Sequence, residues 1–166
     1  MSDQPICVRS ATITDLNTIV GFNRAMAYET ESKMLDPEAA VSGVRNALQD
    51  PSRARYFVAE VDGTVVGQTM ITFEWSDWRD AYFWWIQSVY VAPQYRRRGV
   101  FQALYAHLRA MAFEHPDVCG LRLYVHRSNR RAAGVYRRLG MNQTEYALFE
   151  DEWGSADHSR RGGGGE

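Results

Sequence analysis

The residues best suited to chemistry lie in one run, Ser88-Val-Tyr-Val-Ala-Pro-Gln-Tyr-Arg-Arg-Arg-Gly-Val-Phe-Gln-Ala-Leu104. Apolar residues up to Val91 read as a strand, Pro93 as a turn, and the residues from Arg98 onward as a helix. The first turn of a helix carries backbone N–H groups without intrahelical partners and the positive end of the helix dipole. Gly99 lets the backbone come close to a ligand, and Arg96, Arg97 and Arg98 bring guanidinium groups suited to bidentate phosphate contacts. The run is an anion cradle by construction. Its competing reading is a solvated basic turn ahead of a surface helix.

The charge pattern supports the cradle. The 166 residues sum to −1 at pH 7, but residues 96–138 carry ten arginines against Glu114 and Asp117, while residues 1–95 sum to −5 and residues 139–166 to −4. A near-neutral total thus hides a compact basic block. Lys33 is the only lysine, so every positive charge in that block is a guanidinium. The basic residues are interrupted by apolar helix faces, which counts against a nucleic-acid binder.

Length and an apolar content of 45% fit one soluble domain with a real core. Residues 6–11 alternate as a strand. Thr14 and Asp15 open a helix through Leu16, Ile19, Val20, Phe22 and Met26, and Asp36-Pro37 starts a second that runs to Gln49. Strands at Tyr56–Val61 and Thr64–Trp75 flank Asp62-Gly63, a hairpin signal. Tyr82–Val91 is long enough for a central strand, and Arg98–Phe113 is a helix with Leu104, Leu108 and Met111 as its buried stripe. A strand over Leu121–His126, a short helix over Asn129–Leu139 ended by Gly140, and a last strand over Tyr146–Phe149 complete an α/β (α+β) order with a mixed sheet. Residues 154–166 are Gly-rich, have no apolar anchor, and are expected to be disordered. Cys7 and Cys119 show no metal or disulfide spacing, so two buried, inert thiols and no metal are expected. The N-terminus lacks the features of a signal peptide and no run approaches a membrane span, so the expected location is cytoplasmic with no membrane partner.

The segment Arg96-Arg-Arg-Gly-Val-Phe101 resembles the acyl-CoA motif of the GNAT superfamily of N-acetyltransferases, Arg/Gln-x-x-Gly-x-Gly/Ala, with Phe101 standing where Gly or Ala is usual. A second segment, Ser128 to Met141, resembles that family's Asn-x-x-Ala-x-x-x-Tyr-x-x-x-Gly-Phe helix through Asn129, Ala132, Tyr136 and Gly140, with Met141 in place of Phe. The resemblance covers residues 6–150. It implies one domain over 1–153 with a mixed, mostly antiparallel central sheet flanked by helices. It further implies that acetyl-CoA is the cofactor. Its pyrophosphate would lie on the backbone of Arg96 to Gln102, its pantetheine arm along Val89, Tyr90 and Val91, and Asn129 and Tyr136 would complete the site. Phe101 must then point away from the cofactor.

The implied reaction is direct attack of a primary amine on the acetyl thioester, with Tyr136 matching the family's proton donor to the thiolate and an unpaired N–H near Val89 to Val91 serving the oxyanion. The family's glutamate base, five residues before the motif asparagine, is replaced here by Tyr124, so that role does not transfer. Glu74 is the candidate catalytic carboxylate. Gln87, with the same facing as Trp85 and Val89, could hold a relaying water, and Glu29, Glu31, Trp75 and Asp77 are candidates for the acceptor wall. The acidic flanks and indoles suit a small cationic or amino-acid-like amine. The aromatic strands suit a homodimer. A rival class keeps the acyl-CoA cradle without catalysis, as a sensor or interaction module.

Overall fold

A two-residue reversal sets the register of the sheet. Asp62 (φ +49°) and Gly63 (φ +72°) both take positive φ, and Val61 pairs with Thr64 across them. That is the mirror-image turn whose twist matches its flanking strands, and Asp-Gly is the pair that tolerates it. The computed structural model describes residues 5–152; the Gly-rich stretch 154–166 lies outside the described residues. One unit ends at Tyr124 and a second begins at Val125.

The first unit runs β1 (Cys7–Ser10), α1 (Leu16–Glu31), α2 (Pro37–Gln49), β2 (Arg55–Val61), β3 (Thr64–Ser76), β4 (Ala81–Val91), α3 (Val100–Glu114) and β5 (Val118–Arg122). The five strands lie in sequence order, antiparallel except for the parallel β4–β5 pair joined through α3. The expected mixed, mostly antiparallel sheet flanked by helices is the observed one. Each face of the sheet has its own helical cover. Tyr56, Val58 and Met70 pack with Ile19 and Val20 of α1 and Val44 of α2. On the other face Phe57 meets His107 of α3 edge to face, and Trp84 meets His115 just beyond it. Leu104 and Leu108 are buried as the stripe requires, joined by Val100, Tyr105 and Ala112, while Met111 is half-buried.

Gly67 of β3 sits where α3 begins. A Cβ there would lie 2.9 Å from Val100 Cγ1 and 3.1 Å from the Tyr90 carbonyl oxygen, closer than real Cβ contacts come. Only glycine lets the start of α3 seat against this strand.

Several boundaries differ from expectation. The chain enters α1 through a 3-10 turn at Ile13–Asp15 with Thr12 as the cap, two residues before the expected Thr14. β5 covers Val118–Arg122 instead of Leu121–His126, because its register with β4 ends at Trp85↔Arg122. No strand forms at Tyr146–Phe149; Tyr146 and Phe149 are exposed, and alternation alone makes no ladder without a partner strand. Both thiols are exposed, because Cys7 and Cys119 lie on the two edge strands.

In the second unit α4 spans Arg130–Arg138. Gly140 (φ +87°) ends it, with its N–H donating to the Arg137 carbonyl and the Met141 N–H to the Tyr136 carbonyl. That paired closure is the glycine helix stop expected at this position.

The start of α1 hangs on one buried carboxylate. Asp15 is 5% exposed and accepts two hydrogen bonds from the Arg9 guanidinium, at 2.8 and 3.0 Å, and one from the Thr12 N–H at 2.8 Å. Arg9 also bonds Glu60 of β2, so β1, β2 and the entry to α1 share one guanidinium. The hydrogen bonds from Arg9 are the main reason the Asp15 carboxyl is held below its usual pKa, and the Arg9 pKa is raised in turn. A depressed carboxylate stabilises the fold fully above its unfolded pKa of about 3.9 and loses that contribution as pH falls through the folded value. Asp15→Asn is expected to cost about 1–3 kcal/mol at neutral pH. In denaturant titrations its difference from the parent protein should shrink below pH ~4. A difference independent of pH would show that the charge is not what matters.

Candidate active site

The cradle run folds as its residue types dictate. Gly99 (φ +83°) is the residue before α3, no side chain caps that helix end, and the Ala103 N–H makes the first helical bond to the Gly99 carbonyl at 2.9 Å. A Cβ on Gly99 would meet nothing nearer than Ile6 Cδ1 at 3.9 Å, so the first unit leaves room over this turn. Arg97 also takes positive φ (+65°), a costly conformation for a side-chain-bearing residue. Arg98 lies over the Tyr95 ring, and all three arginines are exposed. Val100 is buried, Gln102 is exposed, and Phe101 packs toward Tyr105 one turn on, with ring centroids 6.2 Å apart. The open space, uncapped N–H groups and guanidinium charge suit a pyrophosphate.

Arg96 is not free to follow a ligand. Its Nε donates to the Val91 carbonyl at 2.9 Å, its Nη2 to Glu29 at 2.6 Å, and its guanidinium lies over the Tyr90 ring. Tyr90 donates its hydroxyl to the other oxygen of Glu29 at 2.9 Å. Glu29, expected on the acceptor wall, therefore ties the end of α1 to the cradle. The Arg96 hydrogen bond is the main cause holding its carboxyl below the usual range, and burial followed by the Glu29 bond raises the Tyr90 phenol. Glu31, the last residue of α1, is exposed.

The central strand holds an extra residue. Met70 pairs with Ser88 but Ile71 pairs with Ile86, so Gln87 is a bulge in β4. The bulge overturns the expected shared facing of Trp85, Gln87 and Val89. Trp85 faces with its partner Thr72, whereas Val89 faces with Thr69 on the other side of the sheet. Gln87 stays with Trp85, donating its amide to Thr72 Oγ1 at 2.8 Å and accepting the Tyr124 hydroxyl at 2.8 Å. The β4–β5 pairing stops at Trp85↔Arg122, just before this bulge. Past that point the edge of β4 facing β5 has no strand partner among the described residues.

On the Trp85 face Glu74 accepts from the Trp85 indole N–H and, at 2.9 Å, from Arg122 Nη1. Arg122 stacks 3.6 Å from the centroid of Phe83, and Trp85 and Tyr124 lie with centroids 5.7 Å apart. Trp75 points to the opposite face, where it meets its cross-strand partner Tyr82, so it does not join Glu74. Asp77 is exposed in the β3–β4 turn. Trp84 is buried. Sequence reasoning missed Arg122, although its alternation with Tyr124 in Leu-Arg-Leu-Tyr carries the signal of a shared face.

In the second unit Asn129 caps α4, its Oδ1 accepting from the Ala132 N–H at 3.0 Å. Tyr136 is half-buried on α4, and that burial raises its phenol, keeping it protonated near neutrality. Among the described residues no cluster of side chains could hold a metal, and no helix is long and apolar enough to cross a membrane.

A strand that parts from its parallel neighbour beside a glycine-led helix start agrees with the arrangement that the resemblance to N-acetyltransferases implied. The chain belongs to the GNAT acetyltransferase family, whose profile matches residues 17–141, and it is an N-acyltransferase. It is 32% identical over 158 residues to an N-alpha-acetyltransferase of Sulfurisphaera tokodaii, covering 88% of this chain and 89% of that one. The crystal structure of a possible acetyltransferase from Clostridium difficile 630 superposes with a TM-score of 0.84 at 41% identity, covering 89% of this chain and 97% of the other. An aminoglycoside N-acetyltransferase solved with CoA shares the fold, with a TM-score of 0.74 at 18% identity over 90% and 95% of the two chains.

Asn129→Ala should cost α4 about 0.5–2 kcal/mol, and Asn129→Asp should retain the cap. Hydrogen exchange of the amides at 131–134 reads this directly. Equal protection in the parent and Asn129→Ala proteins would mean that the cap does not hold the helix.

Proposed function

We propose that the chain, taken as one acetyltransferase domain over residues 1–153, transfers the acetyl group of acetyl-CoA to the primary amine of a small cationic or amino-acid-like acceptor. The observation that carries this reading is the parting of β4 from β5 after Trp85, next to the bulge at Gln87 and at the strand that leads into the Gly99 cradle. The cofactor supplies an acyl group activated as a thioester. Arg97, Arg98 and the backbone from Gly99 to Gln102 would hold its phosphates, with Arg96 steadied by Glu29, and the Val89 to Val91 edge would align its arm. The unpartnered edge of β4 offers N–H donors to charge developing on the carbonyl oxygen. Glu74 would take the proton that the amine must lose, and Tyr136 would give one to the departing sulfur.

A second acceptor reading is favoured by the relative from Sulfurisphaera tokodaii, whose name specifies an α-amine. An α-amine next to a peptide or carboxylate group fits the same face. The absence of a long apolar helix among the described residues is compatible with a cytoplasmic location, and the exposed Trp75 of β3 with a homodimer.

Release of free CoA thiol across a panel of amines tests the activity. Gly99→Glu should abolish acetyl-CoA binding in calorimetry, because a carboxylate would project into the phosphate site and φ +83° strains any side chain. Unchanged affinity would count against the cradle. Tyr136→Phe should slow turnover by about 10²-fold or more with little change in acetyl-CoA affinity. Equal turnover of the two proteins would remove Tyr136 from proton transfer.

A further inference from the structure

The Glu74–Arg122 side chains are 41% and 32% exposed, so both charges can be reached from solvent. Arg122 is held in place by Phe83 beneath it and by Glu74 beside it. Only its Nη1 has an acceptor among the described residues, which leaves Nε and Nη2 available as a fork. The neighbouring Gln87 is held between Thr72, to which its amide donates, and Tyr124, whose hydroxyl it accepts. Two opposite charges are therefore the charged groups that this face offers a ligand. Arg122 stands in the Trp85↔Arg122 pair, the last before β4 and β5 part, and Glu74 accepts from the indole of that same Trp85.

A purely cationic amine would meet Arg122 as a like charge. An anion would meet Glu74. A molecule with an ammonium and a carboxylate separated by a single carbon meets each charge with its opposite, exchanging one ion pair for two. We infer that the Glu74–Arg122 pair docks the acceptor and that the acceptor is a free, zwitterionic amino acid, its carboxylate on Arg122 and its ammonium on Glu74. This inference rests on the acetyltransferase reading above. The Trp85 and Tyr124 rings, 5.7 Å apart, wall the same face and favour an apolar or aromatic side chain. In the reaction the ammonium gives one proton to the Glu74 carboxylate, the neutral nitrogen forms the C–N bond, the C–S bond breaks, the sulfur takes a proton from Tyr136, and the second proton that the nitrogen loses passes through solvent to the Tyr136 phenolate.

The test follows CoA thiol release with the twenty amino acids, their α-amides, the matching amines that lack the carboxylate, and short peptide amides. The best amino acid should exceed its own amide by about tenfold or more in kcat/KM, since an amide leaves the Arg122 fork unpaired. Arg122→Gln should bring the acid-to-amide ratio close to one, and Arg122→Lys should keep part of it. Should Arg122→Gln fail to fold, the ratio in the parent protein still decides. Equal use of acid and amide overturns the inference, as does a peptide amide used better than every amino acid. Turnover of simple amines alone would leave the acetyltransferase reading standing while removing this one. No release with any amine would remove both.

Discussion

One extra residue in β4 sets the arrangement of everything around it. With the bulge at Gln87, the first half of the strand presents Trp85 to one face and the second half presents Val89 to the other. A regular strand would keep both on one side. The same place marks the end of pairing with β5. A single strand thus supplies a free edge, a change of face and a direct lead into the Gly99 turn. Bulges bend and re-aim strands at the cost of a ladder bond, and here the lost pairing leaves a polar backbone edge accessible.

Charge is organised around the same strand in two carboxylate–guanidinium pairs. Glu29 holds Arg96 on the side of the cradle, and Glu74 holds Arg122 on the Trp85 face. Pairs this exposed contribute roughly 0–1 kcal/mol each to folding. Their effect is directional, because each arginine is also laid over an aromatic ring, Tyr90 in one case and Phe83 in the other. The acidic excess of residues 1–95 and the basic block after them meet in these pairs, which is how a chain of net charge −1 can carry strongly charged local surfaces.

Where a local rule operates, the sequence was readable. Asp62-Gly63 meets a backbone demand that few residue pairs meet, Asp36-Pro37 starts α2 through a hydrogen bond to the Ala39 N–H, and Gly140 takes the positive φ that stops α4. The positive φ of Gly99 at the start of α3 belongs with these. Properties set by distant partners stayed hidden. The partner of Glu29 lies 67 residues away, the bulge at Gln87 exists only relative to β3, and the facing of Trp75 depends on a register that alternation alone does not specify. The alternating Tyr146–Phe149 run shows the reverse error, a strand-like pattern without a neighbour to pair with.

Gly67 extends this dependence beyond the residues that face a ligand. Its missing side chain is what lets Val100 and the turn before it settle on β3, so the aim of the N–H groups at the start of α3 is decided one layer below them. An added methyl would push on that helix without touching the ligand space. Under the function proposed above, position 67 would share the intolerance of the cradle while appearing on a map of ligand contacts as an ordinary core residue.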